Sequence, residues 1–221
     1  MMNNNINIKS FDGVNAQLLL DAEIKRISAA GERPRLLLHA CCAPCSSYVL
    51  EYLSSFFDIT LYFYNPNITP VEEYAYRYDE LSRLVREMLP AGDVKAVKAE
   101  YNSDEFYNVV KGLEGELEGG ERCMRCYRLR LEASARYAAE GGFDYFTTTL
   151  SISPHKNSRR LNEIGAELSE KYGVRYLFSD FKKKNGYKRS CELSEKHGLY
   201  RQDYCGCEFS RVQRDNKNNH K

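Results

Sequence analysis

The sequence predicts an α/β fold, a mostly parallel sheet with helices on both faces. Three observations predict it. From Pro34 onward, strand-like apolar runs alternate with segments of helical spacing. The first run, Leu36-Leu37-Leu38, is apolar at every position, as a strand buried on both faces must be. Helix start and stop signals also fall between the runs, with Thr69-Pro70-Val71-Glu72 opening one helix and Gly141-Gly142 and Gly173 closing two others.

Residues 1–33 read as an N-terminal helical extension, with a loose Asn-rich start at 2–7 and a helix over 14–29 ended by Gly31 to Pro34. Residues 34–210 form a single α/β domain. The segment after Pro44 is a helix with Val49, Leu50 and Leu53 on one face, and residues 58–64 form a second strand rich in β-branched and aromatic residues. Thr69 is the expected N-cap of the next helix, with Pro70 at its first position and Glu72 completing a capping box, and that helix runs to Leu89. Residues 93–98 make a weaker strand, 103–112 a short helix, and Cys123 to Ala139 a longer one. Strand 143–150, helix 157–172 and strand 174–178 follow, and a helix near 187–197 lies in a Cys-rich, basic C-terminal segment. Residues 211–221 read as a polar, frayed tail. Parallel strands need right-handed crossovers, and ligands in such sheets bind beyond the C-terminal strand ends.

Composition narrows the function. The chain has 221 residues, 43% hydrophobic and 29% charged, which excludes a disordered or fibrous protein. It has no apolar run of about 18 residues and no apolar leader, so a cytoplasmic protein with no membrane partner is expected. Net charge is +1, so any nucleic-acid contact must come from a local patch. The densest cationic stretch is Lys182 to Arg189, and Arg159, Arg160, Arg201, Arg211 and Arg214 add to it. With interleaved Tyr and Phe, these residues read either as an RNA surface or as a solvated face.

The eight cysteines are the strongest signal, because seven fall into three tight groups. In a reducing compartment, such grouping reads as metal binding or redox chemistry rather than structural disulfides. His39-Ala40-Cys41-Cys42-Ala43-Pro44-Cys45-Ser46 follows the first core strand, where a phosphate loop would have glycines. Pro44 places Cys45 in the first turn of a helix, whose N-terminus favours thiolates. Cys123-Met124-Arg125-Cys126 opens a helix and puts two thiols on one face, able to share a metal or cluster. Cys205-Gly206-Cys207 can ligate a metal or form a strained, easily reduced disulfide; the redox reading is favoured. Cys191 stands alone and reads as a simple thiol.

Zinc and iron–sulfur both suit such ligands. The placement at a strand end, and a dithiol that structural zinc does not need, favour iron. His39 either lines the site or is a satisfied core residue. His155 is a loop candidate, His197 a helix-end residue, and His220 lies in the tail.

Five segments in order, H-A-C-C-A-P-C-S, C-M-R-C-Y-R-L-R, T-T-T-L-S-I-S-P-H-K-N, D-F-K-K-K-N-G-Y-K-R-S and Y-R-Q-D-Y-C-G-C-E-F-S, resemble the epoxyqueuosine reductases of the QueH type over residues 34–210. The resemblance implies a HUP/Rossmann-like sheet and the last step of queuosine synthesis, reduction of the wobble-base epoxide of epoxyqueuosine in tRNA. It implies a [4Fe-4S] cluster, no cobalamin, and an external electron donor. Carried over by motif, Cys41, Cys42, Cys123 and Cys126 match the cluster ligands, and Cys205 and Cys207 match a redox-active pair. Cys45 lies within the first motif and is a candidate for an additional iron ion. Asp203, Tyr204 and His39 are candidate proton donors, and Asp203 is carried forward as a catalytic residue. Two other classes fit parts of the pattern. A cluster-dependent tRNA sulfurtransferase would need an ATP loop where the first cysteine motif stands. A non-catalytic, zinc-stabilised RNA-binding module would leave Cys205 and Cys207 without a task.

Overall fold

The computed structural model describes residue 11 and residues 13–89 and 94–219. The expected loose start at 2–7, Asp93 at the head of the third strand, and His220 lie outside them. Five strands form one sheet: β1 (Arg35–His39), β2 (Asp58–Phe63), β3 (Lys95–Lys98), β4 (Tyr145–Thr148) and β5 (Arg175–Tyr176). Their order is β3-β2-β1-β4-β5, and every pairing is parallel. The expected α/β architecture is therefore the observed one.

Side-chain alternation on β1 explains the two-sided core. Leu36 and Leu38 pack with Leu61, Phe63 and Tyr145 on one face, while Leu37 packs with Tyr62 and Phe146 on the other. The first face is covered by α1 (Ala16–Ala30), α2 (Ala43–Leu53) and α3 (Val71–Met88), and α7 (Gly186–Lys196) packs against α2. The second is covered by α5 (Glu121–Glu140) and α6 (Ser158–Tyr172). The short α4 (Ser103–Val110) and the last helix, α8 (Glu208–Asn219), meet α5 in a satellite cluster around Phe106 and Val110.

Strand order reverses between β1 and β4, so the crevice beyond their carboxyl ends is the place where this topology binds ligands. β1 delivers the first cysteine motif there. β4 delivers a short 3-10 turn, Thr149–Ile152, in place of the longer strand expected to residue 150.

Two expectations fail. Thr69 is not the N-cap of α3. Pro70 is the boundary residue, in an extended conformation after a cis peptide bond, and Thr69 instead donates its N–H to the Gly206 carbonyl at 2.9 Å. The tail is not frayed through Asn219. α8 continues because Gln213 reaches back to the turn before α5, accepting from the Glu118 N–H at 3.0 Å and donating to the Glu116 carbonyl at 3.0 Å. Among the described residues no helix is long and apolar enough to cross a membrane.

Candidate active site

The first wall grows from the end of β1. His39 is fully buried, with Nε2 3.1 Å from the Tyr64 carbonyl and Nδ1 2.8 Å from the Thr148 hydroxyl. A carbonyl only accepts, so Nε2 carries the hydrogen and Nδ1 accepts from Thr148. Burial, with the Arg130 charge adding, pushes His39 down to about 3. It is a neutral core residue with both nitrogens used. Beyond it the Ala40 carbonyl accepts from Asn65 Nδ2 at 2.9 Å, and Cys41 donates its N–H to Thr149 Oγ1 at 3.3 Å. Cys42, extended at φ −171°, is the N-cap of α2, and Pro44 lies in the first turn, so Cys45 turns back beside its partners.

The Sγ atoms of Cys41, Cys42 and Cys45 lie within 4.8 Å of one another, a group able to hold a metal. Cys41 is the thiol favoured to ionise. Hydrogen bonds from Cys42 and Cys45 hold it well below the usual thiol range despite burial, and Arg130 and Thr149 help. The bond to Cys41, together with burial, pushes Cys42 up to about 12, and Cys45 rises for the same reasons.

The second wall is α5. Cys123 and Cys126 are both buried near its start, and Cys123 Sγ accepts the Gly119 N–H at 3.2 Å. Burial raises both thiols, Cys126 to about 11 against the opposing Arg130 charge.

The third wall is the Cys205-Gly206-Cys207 loop. The two Sγ atoms are 3.5 Å apart and unbonded. Cys207 caps α8, its Sγ accepting the Ser210 N–H at 3.4 Å, while Cys205 Sγ lies 3.1 Å from the Ser210 hydroxyl. Cys207 and Lys156 hold Cys205 well below the usual thiol range, and Cys207 is raised in turn. Gly206 has φ +115°, and a Cβ there would stand 2.8 Å from Ile68 Cγ1. Only glycine fits that position without strain.

Cys123, Cys126, Cys205 and Cys207 line one concavity. The second and third motifs, distant in sequence, therefore share one cavity. Three cations, Arg122, Arg130 and Lys156, also line it, with the amide of Asn67 and the rings of Phe106 and Tyr127. Lys156 is 9% exposed at its side chain and meets Glu118 at 2.7 Å. Burial alone would lower it; the Cys205 thiolate and Glu118 outweigh burial and hold it above the usual lysine range. Asn67 and the two arginines carry buried polar atoms without a protein partner. Arg77, 2% exposed, lies behind the third wall between Glu73 and the loop.

Sequence reasoning did not single out Asn65, Asn67, Arg77, Arg122, Arg130 or Lys156. One signal was present: Arg122, Cys126 and Arg130 are spaced four apart on α5 and so share a face.

The remaining candidates lie elsewhere. Asp203 is 65% exposed at its side chain, pairs with Arg214, and is not among the lining residues. Tyr204 stacks between the Arg77 and Arg214 guanidiniums. His155 is exposed, and His197 meets Glu87 at 3.2 Å. Cys191 is partly exposed on α7, apart from both thiol groups. Much of the basic stretch is tied into the body: Lys182 pairs with Asp180, Lys184 with Asp21, and Arg189 with Glu51.

The family model described as epoxyqueuosine reductase QueH matches residues 36–213. The chain is 48% identical to the epoxyqueuosine reductase QueH of Streptococcus pyogenes serotype M1, covering 80% of this chain and 71% of that relative. It is 43% identical to the Staphylococcus epidermidis protein of the same name, covering 89% and 84%. The Thermotoga maritima relative, also so named, is 37% identical, with 82% and 93% covered. Thiol-lined walls at the topological switch point and a match spanning the whole sheet lead to one conclusion: the chain belongs to the epoxyqueuosine reductase QueH family.

Proposed function

We propose that the chain reduces the epoxide of epoxyqueuosine in tRNA to queuosine, the last step of queuosine biosynthesis, as a cytoplasmic iron–sulfur oxidoreductase. The observation that carries this reading is the convergence of the C-x-x-C and C-x-C motifs on one cation-walled cavity. Epoxide removal takes two electrons and two protons and gives an alkene and water. A dithiol going to a disulfide supplies both pairs, so Cys205 and Cys207 balance the reaction and are re-reduced by an external donor. Their sulfurs stand 3.5 Å apart, and a disulfide needs an approach of about 1.5 Å.

The donor set fits a [4Fe-4S] cluster. Buried thiols face buried cations, and cations favour sulfur in its ligating, thiolate form. Cys41, Cys42, Cys123 and Cys126 would hold the cluster, and Cys45, beside Cys41 and Cys42, would be the thiol left for an additional iron ion. When bound, the cluster would supply one-electron transfer, and the additional iron ion, not closed by four cysteines, would supply Lewis-acid character.

The chain's own residues supply the proton. Of the lining groups outside the thiols, Lys156 and the Tyr127 phenol carry a transferable proton; the arginines do not give theirs up, Asp203 and His39 are not lining residues, and of the two it is the Lys156 charge that acts on Cys205. Lys156 Nζ therefore takes the donor role beside Cys205. In the ion pair, the proton lost by Cys205 resides on Lys156, and delivery to an alkoxide is downhill.

Anaerobic purification with iron, sulfide and zinc analysis, followed by turnover on tRNA carrying epoxyqueuosine, tests the reading. A brown protein that forms queuosine is expected. A colourless zinc protein that leaves the epoxide intact after reconstitution overturns the reading in favour of a zinc RNA-binding module.

A further inference from the structure

Arg122 and Arg130 are 1% and 4% exposed, the most deeply buried charges lining the thiol cavity. Among the described residues, neither meets a carboxylate. Arg122 uses Nη1 on the carbonyls of Leu113, Glu114 and Glu116, and its plane lies over the Phe209 ring at 4.7 Å. Its Nε and Nη2 are buried without a partner. Arg130 uses Nη2 on Asn65 Oδ1, and its Nε is likewise buried without one. A buried guanidinium without an anion is costly, so such a residue implies negative charge nearby when the protein is in its working state. Among the described residues lining this cavity, burial keeps the Tyr127 phenol protonated, and the thiols are the groups left to supply it.

Position on the helix sharpens the point. Arg122, Cys126 and Arg130 stand at intervals of four on α5, so the two guanidiniums bracket one thiol along a single face. Carbonyls fix Arg122 and Asn65 fixes Arg130, which leaves their free N–H groups oriented before anything binds. Asn65 in turn donates to the carbonyl of Ala40, next to Cys41, so Arg130 is mechanically tied to the first cysteine motif as well. These residues do more than fill a helix face.

We infer that Arg122 and Arg130 set the reduction potential of the thiolate-held cluster, by presenting two fixed positive charges and three otherwise unpartnered nitrogens to its sulfur ligands. The inference rests on the proposed ligand set of Cys41, Cys42, Cys123 and Cys126. Reduction adds one electron to an assembly that is already negative. Positive charge and N–H donors stabilise the more negative state and raise the potential. The two arginines thus bring the cluster within reach of a mild donor and are positioning residues, not catalytic ones.

The test compares Arg130→Gln, Arg130→Lys and Arg122→Gln with the unaltered chain, each reconstituted anaerobically and assayed for iron and sulfide. The cluster midpoint is then measured by mediated redox titration, followed by absorbance and electron paramagnetic resonance. Each Gln variant should make the cluster about tenfold harder to reduce at a fixed potential, about 59 mV for one electron. Arg130→Lys keeps the charge and loses the fork, so it should move less in the same direction. Equal midpoints at full iron and sulfide loading overturn the inference. If the Gln variants fold but do not load, Arg130→Lys decides: a midpoint equal to that of the unaltered chain overturns the inference, and a lower one supports it. An unaltered chain that takes up no iron and sulfide overturns the ligand reading itself, before any potential is compared.

Discussion

Arg77 donates from Nη1 to the carbonyl oxygen of Cys205 at 3.3 Å, so a residue of α3 holds the backbone of a dithiol loop more than a hundred positions later. The Arg77 side chain is 2% exposed, its Nε meets Glu73 at 2.7 Å, and its guanidinium lies 5.2 Å from the Tyr204 ring. Thr69 adds a second clamp through the Gly206 carbonyl. The Cys205–Cys207 pair is therefore fixed by its backbone, and its unbonded sulfurs face each other at 3.5 Å.

Gly206→Ala should break this arrangement. The residue has φ +115°, and the new Cβ would meet Ile68 Cγ1 at 2.8 Å and Arg77 Nη1 at 3.2 Å. We expect a loss of about 1–3 kcal/mol in urea unfolding. Turnover should fall more than tenfold, because the pair loses its position before the sheet is affected. Normal turnover at reduced stability would show that the loop geometry does not matter to the reaction.

Serine variants should separate the two kinds of cysteine. Cys205→Ser is expected to keep the cluster absorbance and abolish queuosine formation. Cys123→Ser is expected to lose absorbance, iron and activity together. Loss of iron from Cys205→Ser would make Cys205 a ligand instead.

Lys156→Met removes the buried ammonium from the cavity wall. Turnover should drop about 100-fold or more, the usual scale of a lost proton donor. Lys156 also helps hold Cys205 below the usual thiol range, so Cys205 in the variant should react more slowly with iodoacetamide at neutral pH. Lys156→Arg restores the charge without a transferable proton. It should recover the alkylation rate and not the turnover.

Tyr145 ties α1 to the sheet, with its hydroxyl shared between Glu23 and Arg26. Burial and the Glu23 carboxylate push it up to about 12 from 10.0. The folded chain keeps a proton that the unfolded chain releases above pH 10. Its contribution is therefore full below that pH and is lost as pH rises toward 12. Between pH 9 and 11, Tyr145→Phe should lose about 1 kcal/mol less stability than the unaltered chain, measured by denaturant unfolding at both values. Equal losses would mean that Tyr145 does not hold its proton.

The sheet was legible because its signals are local. Leu36 to Leu38 and residues 58–63 announce buried strands by composition, and Gly31 and Gly173 end helices in the left-handed conformation expected of them. The cysteine motifs were legible as motifs; the cavity joins the second and third of them, while the first forms its own trio. What was not legible depends on distant partners. α8 has a polar sequence with no apolar stripe to announce it, and its hold comes from Gln213 on the 116–118 turn. Thr69 looks like a cap until Gly206 claims its N–H. Arg122 and Arg130 look like ordinary helix-surface charges, because inward orientation is decided by packing against Phe209 and Asn65. Asp203 is one of three acids the sequence offers as a proton donor, and its side chain is 65% exposed and paired with Arg214.

The hydrogen bond from Thr69 to Gly206 joins the segment after β2 to a wall that is made last along the chain. A ribosome releases all five strands once residue 176 has emerged, and by then Cys41, Cys42, Cys45, Cys123 and Cys126 can already occupy their places. The last wall arrives only with residue 205. Until then the cavity lacks the wall that carries Cys205 and Cys207, and the final segment closes it and installs the dithiol in the same movement.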